Sequence, residues 1–270
     1  MGGSGQAQWG ITPPMMKNYR YWPWLSFNLI LFMVMSTGAA AVAAGKPAIQ
    51  VLVVTGGHGF DREPFFDVFR SDPEIHFTHA EHARTNATVY DRDDLLTFQA
   101  VVLYDMPQFI TERQKTNFLS LFKHGIGLVV LHHALVSYQN WPDYERIIGG
   151  RYQEPDPKKP GTVTEKAGWQ HDVELPITIV AKDHPVTAGL KDFVIRDEIY
   201  WGFRVSPEVT PLLSTTHPKS GKPIAWSRME DKSRVVYLQL GHGPSAFQDS
   251  NYRQLIAQSV RWVSTLPKRN

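Results

Sequence analysis

Cysteine is absent from all 270 residues. That lack excludes disulfides, thiolate metal sites and a cysteine nucleophile, so any catalysis must come from histidines, carboxylates, hydroxyls or a metal they hold. An excess of charge is missing too, with 28 Lys and Arg against 26 Asp and Glu. No basic stretch is interleaved with stacking aromatics, so a nucleic-acid groove is not expected and a small neutral ligand is. The loop Gly56-Gly57-His58-Gly59-Phe60 is rich in glycine but matches neither G-x-x-x-x-G-K-S/T nor G-x-G-x-x-G. It predicts no nucleotide cofactor. Its glycines are read as letting the backbone pass close to a ligand while His58 points into a cleft.

Long apolar runs are scarce as well. The segment from Trp24 through Met35 follows Lys17 and Arg20 and precedes the small residues Ala39 to Ala44. It falls short of the roughly 20 residues a spanning helix needs, and its order of positive, apolar and small residues is that of a secretory signal. The expectation is a cleaved signal peptide over residues 1–44 and an exported protein, periplasmic or extracellular. The alternative is an uncleaved N-terminal membrane anchor. Losing residues 1–44 removes two basic residues and no acidic one, leaving 26 against 26 and a mature formal charge of zero.

What is present reads as a single α/β domain. Hydrophobic residues make up 42% of the chain, enough for a sizeable core. The runs at 49–55, 100–104 and 127–131 are continuously apolar, as in strands buried on both faces of a parallel sheet. A short strand is expected at 75–79, a helix at about 62–69, and a capped amphipathic helix from Thr111 to His124. Residues 151–172 carry Pro155, Pro157, Pro160 and Gly161, which predicts a long excursion over the site with Trp169 to Asp172 in a lid. Further strands are expected at 177–180, 211–214, 223–226 and 234–240, and a last helix from about Asn251 to Ser264.

Histidines gather at predicted strand ends: His58 after the first, His132 and His133 after the fourth, His242 after the last. In open parallel sheets that edge is where ligands bind. Imidazoles there can ligate a metal or act as general acid or base. Each could equally be a histidine that only bonds its own loop. Asp197-Glu198-Ile199-Tyr200-Trp201 adds carboxylates beside two aromatics, read as a wall for a sugar ring or as a solvated turn over core aromatics. His171 could reach back into the cleft. Asp183 with His184 reads as a turn or cap, and His76, His79, His82, His124 and His217 receive no role.

Five segments in order, Val53 to His58, Gly127 to Ala134, His184 to Leu190, Asp197 to Tyr200 and Arg234 to His242, resemble the ThuA-like (trehalose utilisation) family over roughly residues 48–265. The resemblance implies a flavodoxin-like, class I glutamine amidotransferase-like three-layer sandwich with a mostly parallel central sheet. It also implies an elbow after the fourth core strand, where an amidotransferase has its cysteine. Here the strand runs into His132-His133, so glutamine hydrolysis through a thioester is unavailable.

The function the resemblance implies is cleavage of trehalose-like disaccharides or their 3-keto derivatives, assisted by a metal or by histidine, in a setting where a sugar dehydrogenase supplies the oxidised substrate. The expected roles are His132, His133 and Glu198 in catalysis, Gly57, Tyr200, Trp201 and His171 in substrate binding, and His58 and His242 on a divalent metal such as zinc, manganese or nickel. A non-catalytic sugar-binding module and a metal-dependent hydrolase of another small substrate stand as alternatives. An ordinary glycosidase does not fit, because Glu198 lacks a carboxylate partner at another strand end and adjacent Asp197 faces the opposite way.

Overall fold

The computed structural model describes residues 48–154 and 167–265, which fall within one compact unit, Gly45–Asn270. The predicted signal segment lies outside the described residues, as does 155–166 of the predicted excursion. Among the described residues no helix is long and apolar enough to cross a membrane.

Five elements carry the first half of the fold: β1 (Ile49–Gly56), α1 (Arg62–Arg70), β2 (Ile75–His82), β3 (Ala100–Asp105) and α2 (Glu112–Lys123). Thr111 caps α2 by accepting from the Gln114 amide while the Gln114 side chain returns to the Thr111 amide, a full capping box. Then come β4 (Gly127–Leu131), α3 (Pro142–Ile148), β5 (Gly150–Arg151), β6 (Gly168–Ile179), β7 (Phe193–Trp201) and β8 (Arg204–Val205). The chain closes with β9 (Thr210–Thr215), β10 (Ala225–Glu230), β11 (Ser233–Leu238), α4 (Pro244–Phe247) and α5 (Ser250–Ser264).

Nine strands form one sheet in the order β2-β1-β3-β4-β11-β10-β9-β6-β7. The first five are parallel, and their order is the flavodoxin-like 2-1-3-4-5 with β11 as the fifth strand. Each later pairing is antiparallel, so β10 and β6 alone run against the other seven. The β5–β8 pair forms a separate two-stranded ribbon.

The parallel strands are buried on both faces because helices cover both. On one side Phe65, Phe69, Leu255, Ile256 and Val260 of α1 and α5 pack on Val51, Val53 and Val102. On the other, Phe118 and Phe122 of α2 and Tyr144 and Ile147 of α3 pack on Leu52, Val101 and Leu128. This alternation makes a three-layer sandwich. Each fully buried Val, Leu or Phe here contributes about 1.5–3 kcal/mol.

One expectation is corrected, and two further elements join those expected. Residues 168–172 belong to β6 and not to a lid, and β7 and α3 went unread. The outer part of β6 is mostly exposed and carries a bulge, so it lacks the clean alternation that marks a strand.

Candidate functional site

The carboxyl ends of β1, β3, β4 and β7, the start of β6 and the turn after β11 enclose a cleft of about 520 Å³. That is the size of an ordinary small-molecule site. His58, Met106, His133, Trp169, Glu198 and His242 are among its lining residues.

The first feature beneath it is the elbow. His132 follows β4 with φ of 51°, a left-handed conformation that is costly for a residue with a side chain. This turn sends the His132 ring toward the β11 side and the His133 ring toward β1. The two roles that the sequence left inseparable are thereby separated. His132 donates from Nδ1 to the main-chain carbonyl of Gln239 at 2.6 Å. A carbonyl can only accept, so the proton is on Nδ1 and Nε2 presents its lone pair.

That lone pair meets Glu198. Oε2 of Glu198 stands 2.9 Å from His132 Nε2 and 3.2 Å from His242 Nδ1, and the two ring nitrogens are 3.2 Å apart. The hydroxyl of Tyr200 stands 2.9 Å from the same His132 nitrogen. Three acceptor atoms packed this closely repel one another unless a proton or a cation lies among them. Burial alone would raise the Glu198 carboxyl, but in the metal-free site protons held between it and the His132 and His242 nitrogens make hydrogen bonds that keep it well below the usual carboxylate range. The Glu198 contact in turn raises His242. His132, Glu198 and His242 each offer one atom to a metal-sized cluster. A cation about 2.0–2.1 Å from each ligand fits a triangle of these edges, and the carbonyl bond to Nδ1 is the usual outer-shell support of a ligating histidine.

Around this triangle sit the other candidates. The β6 bulge falls between Gln170, opposite Ile199, and Val173, opposite Asp197. His171 and Asp172 therefore face Glu198 alone, and His171 Nδ1 lies 3.1 Å from Glu198 Oε1. The His171 ring also packs on His242 and Trp169. On the opposite wall His133 is fully buried and stacks on His58 with ring centroids 4.6 Å apart. Burial, and then the neighbouring His132 and His58, push His133 well below the ordinary imidazole value. His58 is also lowered, mainly by burial. Its Nδ1 bonds the Gly59 carbonyl at 2.7 Å, which leaves Nε2 as a free base at the cleft.

Several placements differ from the sequence reading. His58 stands apart from the metal cluster, and His132 with Glu198 joins His242 there. Trp201 packs on the α1–α5 side of the sheet while Tyr200 packs on the other, because neighbours on a strand face opposite ways. Trp169, directly opposite Tyr200, lines the cleft instead. Gly57 does not line the cleft, and a Cβ there would meet the Met106 backbone at 2.8 Å, so it serves close packing. His82, given no role, is buried with Nδ1 2.7 Å from Asp105 Oδ2. Both residues pair with Gly56, so their side chains meet across a position that has none. As the turn reading had it, His184 accepts from the Val186 amide.

The ThuA family, described as trehalose utilisation, matches residues 50–263. The chain belongs to the ThuA family. No curated protein matches the chain. Among solved structures, a ThuA-like protein from Parabacteroides merdae is 18% identical with a TM-score of 0.69, covering 83% of this chain and 93% of its own. A ThuA-like protein from Bacteroides uniformis is 21% identical with a TM-score of 0.59, covering 80% and 91%. A β-galactosidase from Rahnella sp. R3 is 10% identical with a TM-score of 0.54, the likeness spanning 80% of this chain and 31% of that one. At these identities the likenesses show the fold alone, a three-layer α/β sandwich about a mostly parallel sheet, and a fold does not name a reaction.

Proposed function

We propose that this ThuA-family chain is an exported enzyme that cleaves trehalose-like disaccharides or their 3-keto derivatives, using a divalent metal on His132, Glu198 and His242 and His58 as base. The observation that carries the reading is the 2.9–3.2 Å triangle of two imidazole nitrogens and a carboxylate oxygen at the floor of the cleft. Two nitrogens and one oxygen suit zinc, manganese or nickel. When bound, such an ion stabilises negative charge developing on a substrate oxygen.

The residues of the chain supply the rest. His58 Nε2, unprotonated, takes the proton from the carbon between the ketone and the anomeric centre. The electron pair of that C–H bond becomes a carbon–carbon double bond, and the bond from the anomeric carbon to the departing oxygen breaks with its pair on oxygen. His171, open to solvent beside Glu198, gives that oxygen a proton, so the products are an unsaturated keto sugar and a free alcohol. Trp169, Tyr152 and Tyr200 flank the ring, while Met106 and Val136 keep water from the reacting carbons. A sugar dehydrogenase would supply the ketone. Lys17 and Arg20 before the apolar run support export through residues 1–44.

The test is incubation of the mature protein with trehalose and with 3-keto-trehalose, following absorbance of the unsaturated ketone and release of free sugar. Turnover of the keto sugar, lost on chelation, supports the reading. Sugar binding without turnover that survives chelation and histidine replacement overturns it in favour of the binding module. N-terminal sequencing of the exported protein tells cleavage from anchoring.

A further inference from the structure

Asp197 does not line the cleft, yet it is buried and each oxygen is used. Oδ2 accepts from the Gly241 amide at 2.7 Å, and Oδ1 accepts from the His242 amide at 2.9 Å and from the Glu198 amide at 2.9 Å. Adjacent strand residues therefore hold one histidine from two sides: Glu198 faces its ring and Asp197 its backbone. The turn they hold is a demanding one. Gly241 has φ of 112°, a Cβ there would meet the Tyr252 hydroxyl at 2.3 Å, and Tyr104 donates to the Gly241 carbonyl at 2.8 Å.

Burying a carboxylate is expensive, and a neutral acceptor could serve a turn at lower cost. What the carboxylate adds is charge. Burial works against the charged form of Asp197, the three amide donors of Gly241, His242 and Glu198 favour it, and as a carboxylate it adds to Glu198 a second negative charge to balance a divalent cation.

We infer that Asp197 is the positioning residue of this site, fixing the His242 backbone through paired amide bonds and supplying the second negative charge that suits the site to a divalent ion. The inference rests on the metal reading for its charge and on the hydrogen bonds alone for its positioning. Asp197 touches neither substrate nor metal and acts through His242.

The experiment compares the full mature chain with Asp197→Asn and Asp197→Glu, first without metal by amide hydrogen exchange and then by calorimetric titration with zinc. In the unsubstituted chain the Gly241 and His242 amides exchange at least about tenfold more slowly than Gly243, whose amide has no partner among the described residues. Asp197→Asn keeps a single acceptor oxygen, so at least one of the two amides loses that protection while protection in α5 is kept. Zinc binding weakens about 10–100-fold in Asp197→Asn, the range typical of outer-shell partners, and less in Asp197→Glu, which keeps the charge. Fast exchange at both amides in the unsubstituted chain overturns the inference whether or not the variants fold. Equal zinc affinity in folded Asp197→Asn overturns its charge half. If the unsubstituted chain binds no zinc, the metal reading and the charge half fail together, while the exchange result still decides the positioning.

Discussion

The 2.6 Å bond from His132 Nδ1 to the Gln239 carbonyl decides which side of that imidazole is left for chemistry. Because Nδ1 must donate, only Nε2 is left to face Glu198, and without a metal the carboxylate relies on a proton held between the two. Replacing His132 by Ala removes the hydrogen bond that most lowers the Glu198 carboxyl and leaves a buried acid without its main partner. The variant is expected to lose about 1–3 kcal/mol of stability, read from the urea midpoint at unchanged slope. An unchanged midpoint would mean that Glu198 does not depend on His132.

A second pair is expected to be more sensitive than its distance from the cleft suggests. His82 and Asp105 are both fully buried and bridge over Gly56, whose φ of 113° and 2.0 Å approach to the His82 carbonyl leave no room for a Cβ. His82→Ala leaves the buried Asp105 without its hydrogen-bond partner and should cost about 1–3 kcal/mol. Gly56→Ala, which forces the strands apart, should not fold at 37 °C. Denaturant unfolding and soluble yield check both, and wild-type stability in either variant would refute the bridge.

Acid should weaken the fold through histidines that are buried neutral. His133, His79 and His184 are all lowered chiefly by burial, so the unfolded chain, with ordinary values near 6.5, binds the extra protons first. Their contribution is fully present above about pH 6.5 and is lost as pH falls toward the folded values. His242 has the opposite sign, since its raised value adds stability below pH 6.5 that disappears as pH rises. With His58, which burial also lowers, four groups against one predict a net fall in stability on acidification from pH 6.5 to 5. In His133→Gln the fall should be shallower, as measured by thermal unfolding across that range.

His58 is expected to matter for turnover and not for metal. Its free Nε2 faces the cleft, and the triangle does not include it. His58→Ala should reduce kcat on the keto sugar by about 10²–10⁴-fold while metal content stays at the wild-type level. Loss of metal in this variant would return His58 to the ligand set expected from the sequence.

Much of the fold was legible because β1, β3 and β4 are buried on both faces and so read as unbroken apolar runs. β7 and outer β6 were not, since Arg196, Asp197 and Glu198 break the apolar run of β7, while outer β6 is mostly exposed and a bulge shifts its register at His171. At the site, strand-end position located His58, His132, His133 and His242 at one rim, while Glu198 was read from its aromatic neighbours and His171 as part of a lid. It could not assign partners. Which histidines share Glu198 depends on the left-handed turn at His132 and on Asp197 holding the 241–242 turn, and neither leaves a periodic trace. The His82–Asp105 bridge needs the strand order β2-β1-β3, which joins residues 23 apart, so His82 looked like any strand histidine. Trp169 was within reach: once β6 is paired with β7, it is the residue opposite Tyr200.

Elemental analysis of the untagged mature protein beside His58→Ala, His132→Ala and His242→Ala bears most directly on the proposed centre. The account predicts near one zinc, manganese or nickel per chain in the unsubstituted protein and in His58→Ala, and its loss in His132→Ala and His242→Ala, by more than the roughly 10–100-fold typical of outer-shell partners. No metal in any of the four, or metal retained when His132 is replaced, would contradict it.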